Sequence, residues 1–486
     1  MDVVLFNCGP KAYSWSLFRT LGAYKIAQAI RQEGYNCQVI DFINFMTEEE
    51  LLKCTLNFVN KETEALAIST TFLIEPGKLL PRHVINVINY VTDMYPKLKL
   101  VFGGYESRSP IETAKLHKTS YACITEYGED TFVELLNYYK NKGPQPVFEL
   151  YFKNENTYRI YKGPRNPKYN IETDNHLFTE QDCILPNETL PIEISRGCIF
   201  KCKFCNHLLL GRGKLDYLRD MALIRDELIN NYEKWGITNY YLVCDTFNDT
   251  EYKMQLWHKM ISALPFKIKY TAYLRADLLD RYSDVPYILQ ETGLLTAFHG
   301  IESLSVKAST AIGKGWSGKK ARDYIPHLYH DIWKKEIYQT CSFIVGLPGD
   351  TKESWRDVTN WFESNDLHHL APHVLGLEKS TLNKNQSEFE RNYEEYGYTF
   401  PDTNNTQLWQ NDYWNFAEAR EFLHLDEDRI RRISAKFGSW YIMLLLQFGF
   451  DKTKFSKEDQ KLIDNNQLAI MSNSILNTYI NKLLTE

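Results

Sequence analysis

With 486 residues, 44% of them apolar and 24% charged, the chain has length for about three domains and material for sizeable cores. A formal net charge of −6 and a pI near 6.1 exclude broad electrostatic binding to nucleic acid, although they leave a specific nucleic-acid substrate open. The longest apolar run, 440–446, is too short to cross a bilayer, and ten scattered cysteines behind a start without a leader predict a reducing, cytoplasmic protein without disulfides or a membrane partner.

In the amino-terminal third, short β-rich runs at 3–6, 37–43, 65–71, 98–102 and 122–125 alternate with helix-like stretches at 17–32, 81–94 and 130–139. That alternation predicts a doubly wound parallel sheet of the Rossmann or flavodoxin type over residues 1–142, which binds ligands at the carboxyl ends of its strands. The loops there contain Ser69 and Thr70, the pair Gly103-Gly104, and Gly128-Glu129 at the start of a helix. These residues are candidate ligand contacts, and turn glycines and helix caps explain the same pattern. Residues 143–187, rich in Gly, Pro, Asn and charge, read as a linker with a small hairpin at 148–152 and 158–161.

Within 188–380, strand-like runs at 191–195, 240–244, 268–274, 294–299, 338–345 and 373–377 are each followed, the last excepted, by a helical stretch. Six such units predict a partial (β/α)6 barrel with its chemistry at the carboxyl ends of the strands. The loop after the first strand holds Cys198, Cys202 and Cys205, with Phe204 just before the last. Three thiolates suit an iron–sulfur cluster with one iron open, and a zinc knot completed by His207 is the alternative. The next strand ends carry Asp245, then Arg275, suited to bidentate pairing with a carboxylate. Gly300-Ile301-Glu302-Ser303 and Gly346-Leu347-Pro348-Gly349 follow. A cap at Asp245 or Asn248, a cap at Glu302 and a plain turn at Gly346 are the structural readings of the same residues. Residues 381–486 form a mainly helical, aromatic-rich region, with Tyr398, Trp409 and Trp414 among rings expected to pack against a neighbour or to line a substrate cavity.

The CxxxCxxC spacing, together with the Gly-Ile-Glu-Ser and Gly-Leu-Pro-Gly elements in this order, resembles the radical S-adenosylmethionine superfamily. The resemblance implies a [4Fe-4S] cluster on Cys198, Cys202 and Cys205. That cluster would bind S-adenosylmethionine, pass it an electron from a reductant such as flavodoxin or ferredoxin, and release a 5′-deoxyadenosyl radical. It further implies that Asp245 and nearby carbonyls hold the cofactor's ammonium. Glu302 and Ser303 would reach its ribose or methionine end, and Gly346, Pro348 and Gly349 would make room for the adenosyl group. The amino-terminal stretch is similar to the cobalamin-binding domain fused ahead of many such enzymes. It departs from that pattern in its first loop, Cys8-Gly9-Pro10-Lys11-Ala12-Tyr13-Ser14, which has no histidine; the first in the chain is His83. The combination implies a cobalamin-dependent methyltransferase acting on an unactivated carbon of an unspecified substrate. Alternatives are a corrinoid-free radical enzyme that rearranges, oxidises or cyclises its substrate, a methylthiotransferase, and a non-catalytic corrinoid or iron–sulfur sensor.

Overall fold

The structure is a computed structural model that describes all residues except 74–79, 105–115, 118–119, 126, 154–155, 163–170, 207–216, 380–385, 403–406 and 486. The chain divides into two compact units: Met1–Pro191 with Asp226–Ile237 and Asp464–Glu486, and Ile192–Arg225 with Thr238–Ile463.

The first unit is built on a seven-stranded sheet of β1 (Val3–Phe6), β2 (Cys37–Ile40), β3 (Ala65–Ser69), β4 (Lys99–Gly103), β5 (Ser120–Thr125), β6 (Phe148–Lys153) and β7 (Asn156–Lys162). Their order is β2-β1-β3-β4-β5-β7-β6, parallel throughout except for the edge strand β6. The chain starts in the sheet and winds outward both ways, so β1 is apolar on both faces and all four of its residues are buried. The hairpin expected in the linker is present and extends this sheet, β7 pairing parallel with β5.

Helices Leu21–Gln32, Arg82–Met94 and Gly128–Tyr139 lie where the periodicity predicts them, and a fourth, Glu48–Phe58, was not anticipated. Its signal is present in the sequence as a reciprocal capping box: Thr47 accepts from the Glu50 N–H while the Glu50 carboxylate accepts from the Thr47 N–H. The helix Asn465–Thr485 also belongs to this unit. Its Leu476, Tyr479, Ile480 and Leu483 enter the same core as Val4, Phe6, Ile40 and Phe58. The Tyr479 hydroxyl is hydrogen-bonded to the Asp41 N–H at 2.8 Å, and its ring meets Phe42 edge-on at 5.2 Å.

The second sheet runs in strict chain order through β8 (Thr189–Ile192), β9 (Asn239–Leu242), β10 (Lys269–Leu274), β11 (Leu294–Glu302), β12 (Tyr338–Val345) and β13 (His369–Val374). Sequential parallel order with right-handed crossovers puts the helices on one face and lets the sheet curl into an open barrel. The last strand starts earlier than the expected 373–377, because the ladder with β12 begins where Thr340 pairs with His369.

The side chains alternate accordingly. Ile301, Cys341, Phe343 and Val345 join the helix-side core. Tyr241, Tyr273 and Thr340 face the other way and meet the helix Ser439–Leu445, and Phe298 packs edge-on against Tyr273 at 4.8 Å. Trp440 lies 5.2 Å from both Tyr241 and Tyr273, and the Ser439 hydroxyl donates to the Ala297 carbonyl at 2.8 Å. Tyr338, at the start of β12, donates to the Phe437 carbonyl, and the Ala435 N–H donates to the His368 carbonyl just before β13 at 2.7 Å. This part of the carboxyl-terminal region therefore covers the face of the sheet opposite the helix-side core, from the starts of β12 and β13 to Tyr273 next to the end of β10.

Candidate active site

The cysteine loop is tied down before it opens. The Arg196 N–H donates to the Tyr217 carbonyl at 3.0 Å, the Arg219 N–H to the Ile194 carbonyl at 2.9 Å, and Gly197 adopts φ +87°, turning the chain into Cys198. Further along, the Lys203 N–H donates to the Ile312 carbonyl and the Lys203 carbonyl accepts from Phe389, both within 3.0 Å, while Phe204 packs on the helix-side core. Cys198, Cys202 and Cys205 are thiols of intermediate exposure on this loop. Among the described residues, no three His, Cys, Asp or Glu side chains converge tightly enough to hold a single metal ion; His207 lies outside them.

Each of the first two cysteines has a polar neighbour from a strand end. Cys198 Sγ is 3.4 Å from Thr246 Oγ1, beyond β9; burial pushes this thiol's pKa up, against the Thr246 hydroxyl and the Phe200 N–H, which favour the thiolate. Cys202 Sγ accepts from Arg275 Nη1, beyond β10, at 3.3 Å. The bidentate carboxylate partner expected for Arg275 is the chain's own Asp277, at 3.0 Å from Nε and 2.8 Å from Nη2.

Asn248 clamps the Arg275 backbone, accepting its N–H at 2.8 Å and donating to its carbonyl at 2.9 Å, so Asn248 is not a helix cap. Thr250 caps the helix Glu251–Ser262 instead. Buried Lys253 on that helix donates to Ser195 Oγ at 2.9 Å and to the Thr246 carbonyl at 3.1 Å, joining the strand before the cysteine loop to the residue touching Cys198. Thr246, Lys253, Asp277 and Lys314 were not singled out from sequence. The spacing of Asp249 and Lys253, an i,i+4 ion pair at 3.3 Å, was the readable hint.

Glu302 ends β11 with φ +71° at a break in register after Gly300, and its carboxylate pairs with Lys314 Nζ at 2.9 Å. It does not cap the next helix, Val306–Ala311, whose cap is Ser305; Ser303 accepts from the Ser305 N–H at 3.1 Å. Lys314 also donates to the Gly300 carbonyl, and its own carbonyl accepts from Arg275 Nη2 at 2.9 Å, so Cys202, Arg275, Lys314 and Glu302 form one connected chain. Asp245 is exposed and lies close enough to raise the pKa of both Cys198 and Tyr273. Tyr273 is 36% exposed, yet burial pushes its phenol up to about 12. His373, exposed on β13, has its pKa lowered by burial against the pull of Glu302.

At the Gly346 turn the chain's own side chains come close. A Cβ on Gly346, at φ +99°, would lie 2.3 Å from Trp409 Cη2, and the Gly346 carbonyl accepts from Tyr398 at 2.8 Å and Asn411 at 3.2 Å. Gly349, at φ +76°, faces Lys307, and Trp414 donates to the Asp350 carbonyl at 3.0 Å. The close approach to Gly346 is thus made by the chain's own aromatics, which pack here as the packing reading expected; Pro348 is half-buried in the same turn.

In the first unit, the candidates after β3 and β4 are brought together. The Thr70 N–H and hydroxyl both donate to the Gly103 carbonyl, at 2.8 and 2.9 Å, and a Cβ on Gly104 (φ +101°) would meet Thr71 Oγ1 at 2.5 Å. Ser69 ends β3 beside Gly103. Gly128 opens the next helix against Ile26, and Glu129 is buried; Glu126 and residues 105–109 of the neighbouring loops lie outside the described residues. The first loop closes on its own sheet, with Gly9 against Phe18 and Lys11 donating to the Asn44 carbonyl at 2.6 Å. His83 bonds the Ile43 carbonyl at 3.0 Å.

Residues 192–362 match the family described as the radical SAM superfamily. A curated relative, the uncharacterized methyltransferase PH0819 of Pyrococcus horikoshii, is 28% identical over 175 residues, 36% of this chain and 37% of the relative, so the match spans little over a third of that protein. In fold the chain is similar to the radical S-adenosylmethionine methyltransferase TsrM of Kitasatospora setae, solved with cobalamin and a [4Fe-4S] cluster bound. The TM-score is 0.58 at 13% identity, over 83% of this chain and 81% of that one. It is also similar to the cobalamin-dependent radical enzyme OxsB, solved with aqua-cobalamin and S-adenosylmethionine, at TM-score 0.55 and 14% identity over 92% of this chain and 61% of that one.

Proposed function

We propose, on the premise that this chain is a radical S-adenosylmethionine enzyme whose domain lies at 192–362, that it is a cobalamin-dependent methyltransferase acting on an unactivated carbon. The observation that carries this reading is the order of parts: a doubly wound parallel sheet ahead of a cysteine loop that opens onto a sequential six-stranded sheet.

The donor set fits a [4Fe-4S] cluster. Its three protein ligands, Cys198, Cys202 and Cys205, would each take a separate iron and need not meet at a point. A hydroxyl at Cys198 and a guanidinium at Cys202 suit anionic sulfur. The loops after β3 and β4 fit a corrinoid in having small side chains at Ser69, Thr70, Gly103 and Gly104, and among the described residues a Cβ on Gly103 would meet only the Ile124 carbonyl, at 4.0 Å. The first loop would contribute no imidazole. Bound together, the two groups supply reductive cleavage of a sulfonium and delivery of a methyl group. The chain's own residues would bind and orient. Asp245 would present a carboxylate to the ammonium of S-adenosylmethionine, while Glu302, held at positive φ and paired with Lys314, and Ser303 would meet its ribose or methionine end. Tyr273 and His373 would line the space left for substrate. The Gly346–Gly349 turn would support this wall from behind, through Trp409, in place of contacting the adenosyl group directly.

A second reading, a corrinoid-free radical enzyme, is favoured by the closed first loop and by the latch of Thr70 on Gly103. Incubating anaerobic protein with hydroxocobalamin, desalting it and recording the corrin absorption separates the two. A retained corrin spectrum is expected; its loss, with cleavage of S-adenosylmethionine intact, promotes the corrinoid-free enzyme.

A further inference from the structure

Arg275 is 6% exposed and held from several sides: Asn248 fixes its backbone, Asp277 takes Nε and Nη2, the Lys314 carbonyl takes Nη2 again, and the guanidinium stacks on the Phe200 ring at 3.9 Å. The donor left over, Nη1, is directed at Cys202 Sγ at 3.3 Å. A guanidinium so constrained cannot swing away to bind a mobile carboxylate without giving up two charge-assisted bonds to Asp277. Its surroundings are those of a fixed charge beside a ligand sulfur. Groups that hydrogen-bond ligand sulfurs set the reduction potential of iron–sulfur clusters.

We propose that Arg275 is a positioning residue for the cluster rather than a contact of S-adenosylmethionine: it orients Cys202 and raises the potential at which the cluster takes up its electron, with Asp277 as the counter-charge that limits the rise. The inference rests on the proposed function, since it needs a cluster at Cys202. Reduction adds negative charge at the cluster, a neighbouring cation stabilises the reduced form, and a neighbouring anion opposes it. The two members of the pair must therefore act with opposite sign. Replacing Arg275 by Gln removes the charge and makes the cluster harder to reduce, whereas Asp277→Asn leaves the guanidinium uncompensated and makes reduction easier.

The test is a redox titration of the anaerobically reconstituted full chain, following the reduced cluster by electron paramagnetic resonance, without substrate. In Arg275→Gln the ratio of reduced to oxidised cluster at a fixed potential should fall about tenfold, which for one electron is about 59 mV. Arg275→Lys should fall between that variant and the wild type, and Asp277→Asn should shift the ratio upward. If Arg275→Gln fails to hold a cluster, the sign of the Asp277→Asn shift decides: upward supports the proposal, and no shift or a downward one overturns it. Equal midpoints in all loaded variants overturn this inference and leave the proposed function standing. A wild-type protein that takes up no cluster overturns both.

Discussion

His299 on β11 is buried, and among the described residues neither of its ring nitrogens has a hydrogen-bond partner. The ring stacks on Trp333 at 5.9 Å, and burial, aided by the Lys314 charge, pushes its pKa down to about 3. A base held neutral in the fold but protonated below about 6.5 when unfolded stabilises fully above that pH, and the contribution is lost as pH falls from 6.5 toward 3. Two unpaired buried nitrogens also cost stability at neutral pH. His299→Leu should therefore stabilise the second unit by about 1–2 kcal/mol at pH 7.5. Its advantage should widen by about 1.4 kcal/mol for each pH unit below 6.5, because the variant no longer carries the acid penalty. Urea unfolding of both proteins at pH 7.5 and 5.5 checks this; a variant that is less stable, or an advantage independent of pH, contradicts it. No pattern in the sequence marks this position. His299 occupies an ordinary inward place in an apolar strand, and only the fold reveals that nothing polar comes to meet it.

At the scale of elements, the turn Gly346 to Gly349 shows what local sequence conveys and what it does not. Glycine and proline at these spacings specify a tight strand-end turn, and the turn is there. The identity of the group that presses on Gly346 was not legible, because Trp409 arrives from far along the chain and periodicity carries no information about distant partners. Gly346→Ala combines a Cβ at φ +99° with a contact of 2.3 Å to Trp409. Left-handed strain of about 1–2 kcal/mol and overpacking of about 1–3 kcal/mol should add to a loss of about 2–5 kcal/mol. Thermal unfolding measures it, and a melting temperature equal to that of the wild type would show that Trp409 yields freely. The missed helix Glu48–Phe58 and the misplaced start of β13 have related causes. The helix is announced by its capping box more than by a strong apolar stripe, and β13 opens on a histidine, His369, that alternation alone does not recommend as strand.

For the whole molecule, the sequence conveyed two successive α/β architectures and the cysteine loop between their strands, because strands and helices of this kind are written in local periodicity. It did not convey that residues 465–485 return to the first unit, where Tyr479 completes the Asp41 backbone and Leu476 and Leu483 complete the core. Nor did it convey the chain Cys202, Arg275, Lys314 and Glu302, whose members are remote in sequence and individually commonplace. These links bear on the function, since they connect the cysteine loop to the strand ends where a cofactor would be held. The central claim, that this loop carries a cluster able to cleave S-adenosylmethionine, is tested most directly by assaying 5′-deoxyadenosine. The assay uses reduced, anaerobically reconstituted wild type and a variant with Cys198, Cys202 and Cys205 all replaced by alanine. The account predicts about four irons per chain and 5′-deoxyadenosine formation in the wild type, with neither in the variant. A wild type that holds its iron yet releases no 5′-deoxyadenosine, or a triple variant that keeps its iron, would contradict it.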